Sequence, residues 1–194
     1  MDAIEALHAR RSIGRLLPPA LTEEQLDVLF MAAAAAPDHG TLRPWHFVVL
    51  DGPEKERFGD VLVEALEKRC SQTGVQPTQG QLDKERTKLQ RAPTVIAAAA
   101  VNRDSASVPF GEQLASAAAA AQNMLLAATA MGLGSMWRTG PAAYDPFVVG
   151  SLGLPPESSL VGWLYFGHMP PESRVRSREV TTENLVSRWG ARRP

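Results

Sequence analysis

Arg10, Arg11 and Ser12, with Arg15 close behind, gather guanidinium forks and a hydroxyl at the end of a short apolar-faced segment. A phosphate group needs such donors for charge-assisted hydrogen bonds. A solvated basic helix end, where cations suit the C-terminal dipole, would read the same way. A second cluster, Pro37-Asp38-His39-Gly40, is an irregular turn that passes through Pro44 into the apolar run Trp45 to Leu50. It offers an imidazole in a loop, either a ligand-facing group or plain polar surface. A third, Trp137-Arg138-Thr139-Gly140, follows a short apolar run and precedes Pro141. A strand-end turn exposes backbone N–H groups, and Arg138 adds a donor fork; together they could hold the polar edge of a planar cofactor. An ordinary turn with Trp137 in the core fits the same residues.

Other chemistries lack their residues. His39 and His46 have no HxxxH helix and no carboxylate cluster beside them, so no metal site is expected. No nucleophile elbow announces a Ser-His-Asp constellation. Gly132-Leu133-Gly134 follows a helical pattern and precedes a strand, the reverse of a dinucleotide fingerprint, and glycines closing a helix explain it better. No Walker-A lysine motif occurs. The formal net charge of −1 gives no global field for nucleic acid or an anionic membrane. The single cysteine, Cys70, excludes an intrachain disulfide and a multi-cysteine zinc site, and reads as a bystander thiol in a helix. Asp2 and Glu5 and the lack of a long apolar run argue against a signal peptide, so a reduced cytoplasmic setting is expected.

The positioning elements follow from periodicity and punctuation. The chain of 194 residues, 44% apolar and 21% charged, fits one domain with a proper core. Residues 2–10 predict a short helix with Ile4, Leu7 and Ala3 inward. Pro18-Pro19 breaks the chain, and Thr22 with Gln25 predicts a capped helix running to Ala36. Trp45 to Leu50 predicts a strand, and Glu54 to Arg69 an amphipathic helix with Phe58, Val61, Leu62 and Leu66 inward. Residues 71–81 read as a polar connector before a charged helix over 82–90. A strand over 94–101 and a loop over 102–112 come next. Leu114 to Leu133 is an Ala-rich tract interrupted by Ser116, Gln122, Asn123 and Thr129; it reads as a helix buried in protein, since Ala contributes little transfer energy to a membrane span. Short strands at 135–137 and 160–167 flank a short helix around 145–151. The tail from Met169, opening with Pro170-Pro171, is Arg- and Ser-rich and has no core of its own, which suggests a partner subunit.

Taken together, the chain resembles the nitroreductase family of flavin mononucleotide (FMN) enzymes, most closely its minimal short-chain bacterial group. The carrying pieces are ARRSIGR at 9–15, APDHGTLRPWHFVVLDG at 36–52, RAPTVIAAAA at 91–100, the helix 114–131, GLGSMWRTG at 132–140 and LVGWLYFGH at 160–168. They stand in the family's order and cover nearly the whole chain. The resemblance implies a three-layer α+β fold with a mixed central sheet, an intertwined homodimer with two flavins at its interface, and exchange of C-terminal arms. Residues 1–168 would form the FMN-binding domain and 169–194 the arm on the partner. Arg10, Arg11 and Ser12 match the phosphate-binding triplet. Pro37 and His39 match the flavin-facing loop. Trp137, Arg138, Thr139 and Gly140 match the turn that lines the isoalloxazine. Arg174 and Arg176 are candidates for a further phosphate contact. Ala35 stands where near relatives often carry a basic or polar residue, a departure that implies one flavin contact fewer than the family pattern.

The activity so implied is NAD(P)H-dependent reduction of nitroaromatic, quinone or similar conjugated acceptors by ping-pong hydride transfer. The flavin carries the chemistry, which accounts for the lack of a catalytic nucleophile or acid; Arg138 is the candidate electrostatic stabiliser of the reduced flavin. The alternatives are a reductive dehalogenase or flavin-degrading enzyme on the same fold, a non-enzymatic flavin-binding protein, and a helical interaction protein whose basic cluster is only surface.

Overall fold

Reciprocal capping boxes set where three helices begin. Asp2 and Glu5 form a capping box that starts α1 (Ala3–Ala9), Thr22 and Gln25 do the same for α2 (Glu23–Ala34), and Thr78 and Gln81 for α4 (Gln79–Thr87). The last of these falls in the segment expected to be a polar connector. Because α3 (Gly52–Gln72) also runs past Arg69, the connector shrinks to a few residues around Gly74. The computed structural model describes residues 1–103, 107–171, 181–183 and 185–189. Its other elements are β1 (Trp45–Leu50), β2 (Thr94–Ala100), α5 (Phe110–Ala130), β3 (Gly134–Arg138), α6 (Pro146–Ser151) and β4 (Ser159–Gly167).

The four strands form one sheet in the order β1-β2-β4-β3. Every strand pairing is antiparallel, which corrects the expected mixed sheet; the one parallel contact among the described residues is an isolated bridge between Ser12 and Ser135. The α+β class and the three layers hold. On one face, Phe58, Leu62 and Leu89 pack with Trp163 and Tyr165 of β4 and with Val148 of α6. On the other, Leu29 of α2 and Met124 and Leu125 of α5 pack on Ile96, Leu164 and Phe166. Strand β2, TVIAAAA, is buried throughout, and its alanines let both helical layers approach closely. Burial of this kind stabilises by about 25 cal/mol per Å² of apolar surface.

Between Ala98 and Ala99 the register slips, so that Ala98 faces Gly162 and Ala99 faces Leu160. Val161 is thus the extra residue of a β-bulge. In α5 the small residues Ala117, Ala120, Ala121 and Ala128 face the core, so the helix lies close to the sheet and to α2. No helix among the described residues is long and apolar enough to cross a membrane. Helix α1 departs from expectation. Ala6 is its buried residue, while Ile4 and Leu7 are 63% and 50% exposed, because so short a helix rests on α5 through its small side and turns its larger side chains outward.

Candidate functional site

The chain leaves α1 at Arg10, whose extended backbone starts a new edge beside the sheet. Ser12 bridges Ser135, and Ile13 N–H donates to the Ser135 carbonyl at 3.0 Å. Further on, Leu16 N–H donates to Arg91 O at 2.8 Å, and Leu17 and His168 exchange two backbone bonds of 2.8 and 2.9 Å. The basic triplet is therefore sewn to the outer edge of β3 over its first residues. Arg10 and Arg11 are half-buried and Ser12 is exposed. The Arg11 guanidinium donates to the carbonyls of His8 and Arg10, the latter at 2.8 Å, which closes the end of α1. Arg11 also borders a mostly apolar cavity of about 410 Å³ with Ala9, Ile13, Thr129 and Met169.

From Ser135 the strand runs directly to Trp137, Arg138 and Thr139. Ser135 presents its carbonyl to the outer edge, so by alternation Trp137 turns its backbone outward as well, whereas Arg138 turns its carbonyl toward β4. The Trp137 indole lies across Gly162 and donates to Val161 O at 3.1 Å, the carbonyl presented by the bulge. Arg138 lies on the opposite face of the strand, with its Nε–H on Met136 Sδ at 3.0 Å. Its charge favours ionisation of Tyr165, but burial outweighs this and pushes the Tyr165 phenol up to about 12. Gly140 closes the turn at φ +128, a conformation that residues with a side chain rarely adopt.

Pro37 and His39 are elsewhere. The Pro37 carbonyl accepts from Ser116 Oγ, and His39 Nδ1 sits 2.7 Å from Glu112 Oε2, so α5 holds this loop by its first two turns. Asp38 Oδ2 accepts from Arg43 N–H at 2.7 Å. Within the loop Gly40, Thr41 and Arg43 all take positive φ, at 70°, 59° and 47°. For Thr41, a β-branched residue, this is a strained conformation that only its surroundings can impose. Thr129, beside the Arg11 cavity, lies near the opposite end of α5 from Glu112, about 25 Å along the helix axis.

The structure thus brings Arg10, Arg11 and Ser12 together with the strand that leads to Trp137, Arg138, Thr139 and Gly140. It does not bring Pro37 and His39 to them within one chain. Arg174 and Arg176, and most of the proposed arm, lie outside the described residues. Among those residues no cluster of His, Cys, Asp or Glu could hold a metal. Sequence reading missed Glu112, Ser116, Val161 and Gly162. Only Gly162 carried a signal: a lone glycine inside the apolar strand LVGWLYFG marks a bulge or a close backbone approach.

Comparison with known proteins bears on the fold and the family. The chain superposes on the nitroreductase-like family protein of Bacillus cereus with a TM-score of 0.77 at 24% identity, over 98% of this chain and 97% of that one. It also superposes on a nitroreductase with bound FMN from Bacteroides fragilis, with a TM-score of 0.71 at 20% identity over 96% and 98%. At such identities the likeness concerns the fold. In sequence the chain is 39% identical over 167 residues to the Escherichia coli protein named "Putative NAD(P)H nitroreductase YdjA", covering 86% of this chain and 88% of that protein. The model of the Nitroreductase family matches residues 7–168. Motifs, fold and sequence agree, and the chain belongs to the nitroreductase family.

Proposed function

We propose that the chain is an FMN-dependent NAD(P)H oxidoreductase that reduces nitroaromatic, quinone or similar conjugated small molecules. The observation that carries this reading is the attachment of the Arg10–Ser12 segment to β3, the strand that delivers Trp137 to Gly140. The donor set fits the cofactor. Two guanidinium groups and the exposed Ser12 hydroxyl suit a phosphate, and the outward backbone of Trp137 at the strand edge suits the polar rim of a planar ring. Arg10, Arg11 and Ser12 would hold the phosphate, and Trp137, Arg138, Thr139 and Gly140 would line the ring. When bound, FMN supplies the redox chemistry, ping-pong hydride transfer from NAD(P)H to the acceptor. The protein's part is to hold the ring, exclude water and stabilise negative charge with fixed donors, Arg138 among them.

The site is completed in a homodimer. Pro37 and His39 stand too far along α5 to serve the triplet of their own chain, so a second copy supplies them. Exposed apolar side chains on α1 and α2, namely Ile4 at 63%, Leu7 at 50%, Val28 at 46% and Met31 at 73%, provide a surface for that copy. The segment from residue 169 serves as an arm on the partner, consistent with the high exposure of Leu185, Val186 and Trp189. A cytoplasmic setting belongs to the same reading and rests on the single thiol.

The test is the visible spectrum of the purified protein, repeated after adding FMN and desalting. A flavin spectrum that persists, is lost in Arg10→Ala/Ser12→Ala, and bleaches with NADH or NADPH is the expected result. A protein that remains colourless after FMN is added refutes the cofactor and the activity together.

A further inference from the structure

His39 enters the proposed site with one ring nitrogen already committed. Its Nδ1 lies 2.7 Å from Glu112 Oε2. A carboxylate only accepts, so the hydrogen bond requires the proton on Nδ1. That leaves Nε2 as the nitrogen open to an incoming group: a bare acceptor in the neutral ring, a donor in the charged one.

The contact is one of a set. Glu112 and Ser116 are four residues apart on α5 and therefore share a face. Ser116 Oγ holds the Pro37 carbonyl, and Glu112 holds the imidazole two residues later. Asp38 pins Arg43 N–H from within the loop, and the backbone between them is strained at Thr41. A loop under strain keeps its shape only where anchors determine it. Of these anchors, Glu112 alone reaches the side chain that the family pattern places against the flavin. Both groups are more than half exposed, at 63% and 54%, so the pair contributes little to the stability of the fold. An exposed pair that adds little stability, yet sets the proton position of a site residue, is better explained by the site than by the fold.

We infer that Glu112 is a positioning residue: it fixes the Nδ1–H tautomer of His39 and turns Nε2 toward the flavin bound between two copies of the chain. This rests on the FMN reading above and adds a residue to it. The step involves no covalent change; a proton is placed on one ring nitrogen and held there.

The test has two arms. In the first, the His-labelled full-length protein without FMN is studied by ¹⁵N NMR of the imidazoles, with His39 assigned by His39→Gln. The neutral ring should show the Nδ1–H pattern in the wild type and revert to the commoner Nε2–H pattern in Glu112→Ala. In the second, FMN is titrated into wild type, Glu112→Ala, His39→Ala and the double variant. Each single variant should raise the dissociation constant about five- to tenfold, and the double variant no further than His39→Ala alone, because coupled residues are not additive. An Nε2–H ring in the wild type overturns the proposal. So do effects of Glu112→Ala and His39→Ala that simply multiply, which would give Glu112 a role of its own. A wild type that fails to bind FMN overturns the flavin reading, and the role of Glu112 with it, even where the ring nitrogens behave as expected; the first arm tells these failures apart.

Discussion

Gly162→Ala tests how β4 supports the turn at Trp137. A Cβ at Gly162 would stand 2.4 Å from Trp137 Nε1, 2.8 Å from Trp137 Cδ1 and 2.7 Å from the Arg138 carbonyl oxygen, on a backbone with φ +155. Overpacking of a filled site costs about 1–3 kcal/mol. One of these contacts is to backbone, which cannot swing aside, and displacing the indole also breaks its 3.1 Å bond to Val161 O. The upper end of the range, about 3 kcal/mol, is therefore expected. For a chain of this size that lowers Tm by about 6–12 °C. Thermal unfolding followed by circular dichroism at fixed protomer concentration measures it, since subunit association makes Tm depend on concentration. The paired comparison is Trp137→Ala with and without Gly162→Ala. With the indole gone, two of the three nearest atoms to the new methyl are removed and the Arg138 carbonyl remains, so the cost of Gly162→Ala should fall by at least about 1 kcal/mol. A Gly162→Ala protein within about 0.5 kcal/mol of wild type, the range of an ordinary surface change, would refute the close-approach argument.

Other outcomes follow from the same geometry. Tyr165 has its phenol pushed up to about 12 from 10, by burial first. A folded value above the unfolded one contributes stability that is complete below pH 10 and is lost as pH rises through about 12, a loss of about 2–3 kcal/mol; urea unfolding of wild type and Tyr165→Phe across that window should show a steeper decline in wild type. Lys55 is buried and donates to Ala92 O at 2.6 Å and Pro93 O at 2.9 Å, while burial pushes its ammonium pKa down against the pull of Asp51 and Glu56. Lys55→Met should cost about 2–3 kcal/mol in urea unfolding, because two carbonyls lose a charged donor and relief of the buried charge offsets only part of that. Arg138→Ala should lower the midpoint potential of bound FMN, measured by dye-coupled titration, while leaving the protein able to bind it; an unchanged potential removes Arg138 as the electrostatic stabiliser.

Much of the fold was legible because its punctuation is chemical. Thr22 with Gln25 marks the start of α2, and Pro44 and Asp51 bracket β1 within a residue of where the strand lies. The capping pair Thr78 and Gln81 carried the same signal, but it was hidden in a run of polar residues with no apolar period behind it. The outward turn of Ile4 and Leu7 was not legible, because periodicity reports which side of a helix is apolar and not whether the covering surface belongs to the same chain. At the site, residue types identified the triplet and the turn. Separation of His39 from the triplet was hidden, since it depends on which end of α5 each segment meets. Glu112 was hidden for a related reason: one glutamate in the first turn of a helix looks like any other N-terminal acid until the loop against it is placed.

Helix α5 packs against α2 and the sheet, but its length has a further consequence. With one end fastening the His39 loop and the other lying beside the Arg11 cavity, the helix acts as a ruler whose graduations also carry an angle. Deleting one residue would shorten it by about 1.5 Å and rotate Glu112 and Ser116 by about 100° relative to the far end, so the loop anchors would point away from their partners. Adding four residues would restore the phase to within about 40° yet lengthen the span by about 6 Å. Point substitutions along the exposed side of α5 are thus far better tolerated than any change in its residue count, and natural length variation in chains of this design belongs in the loops at either end.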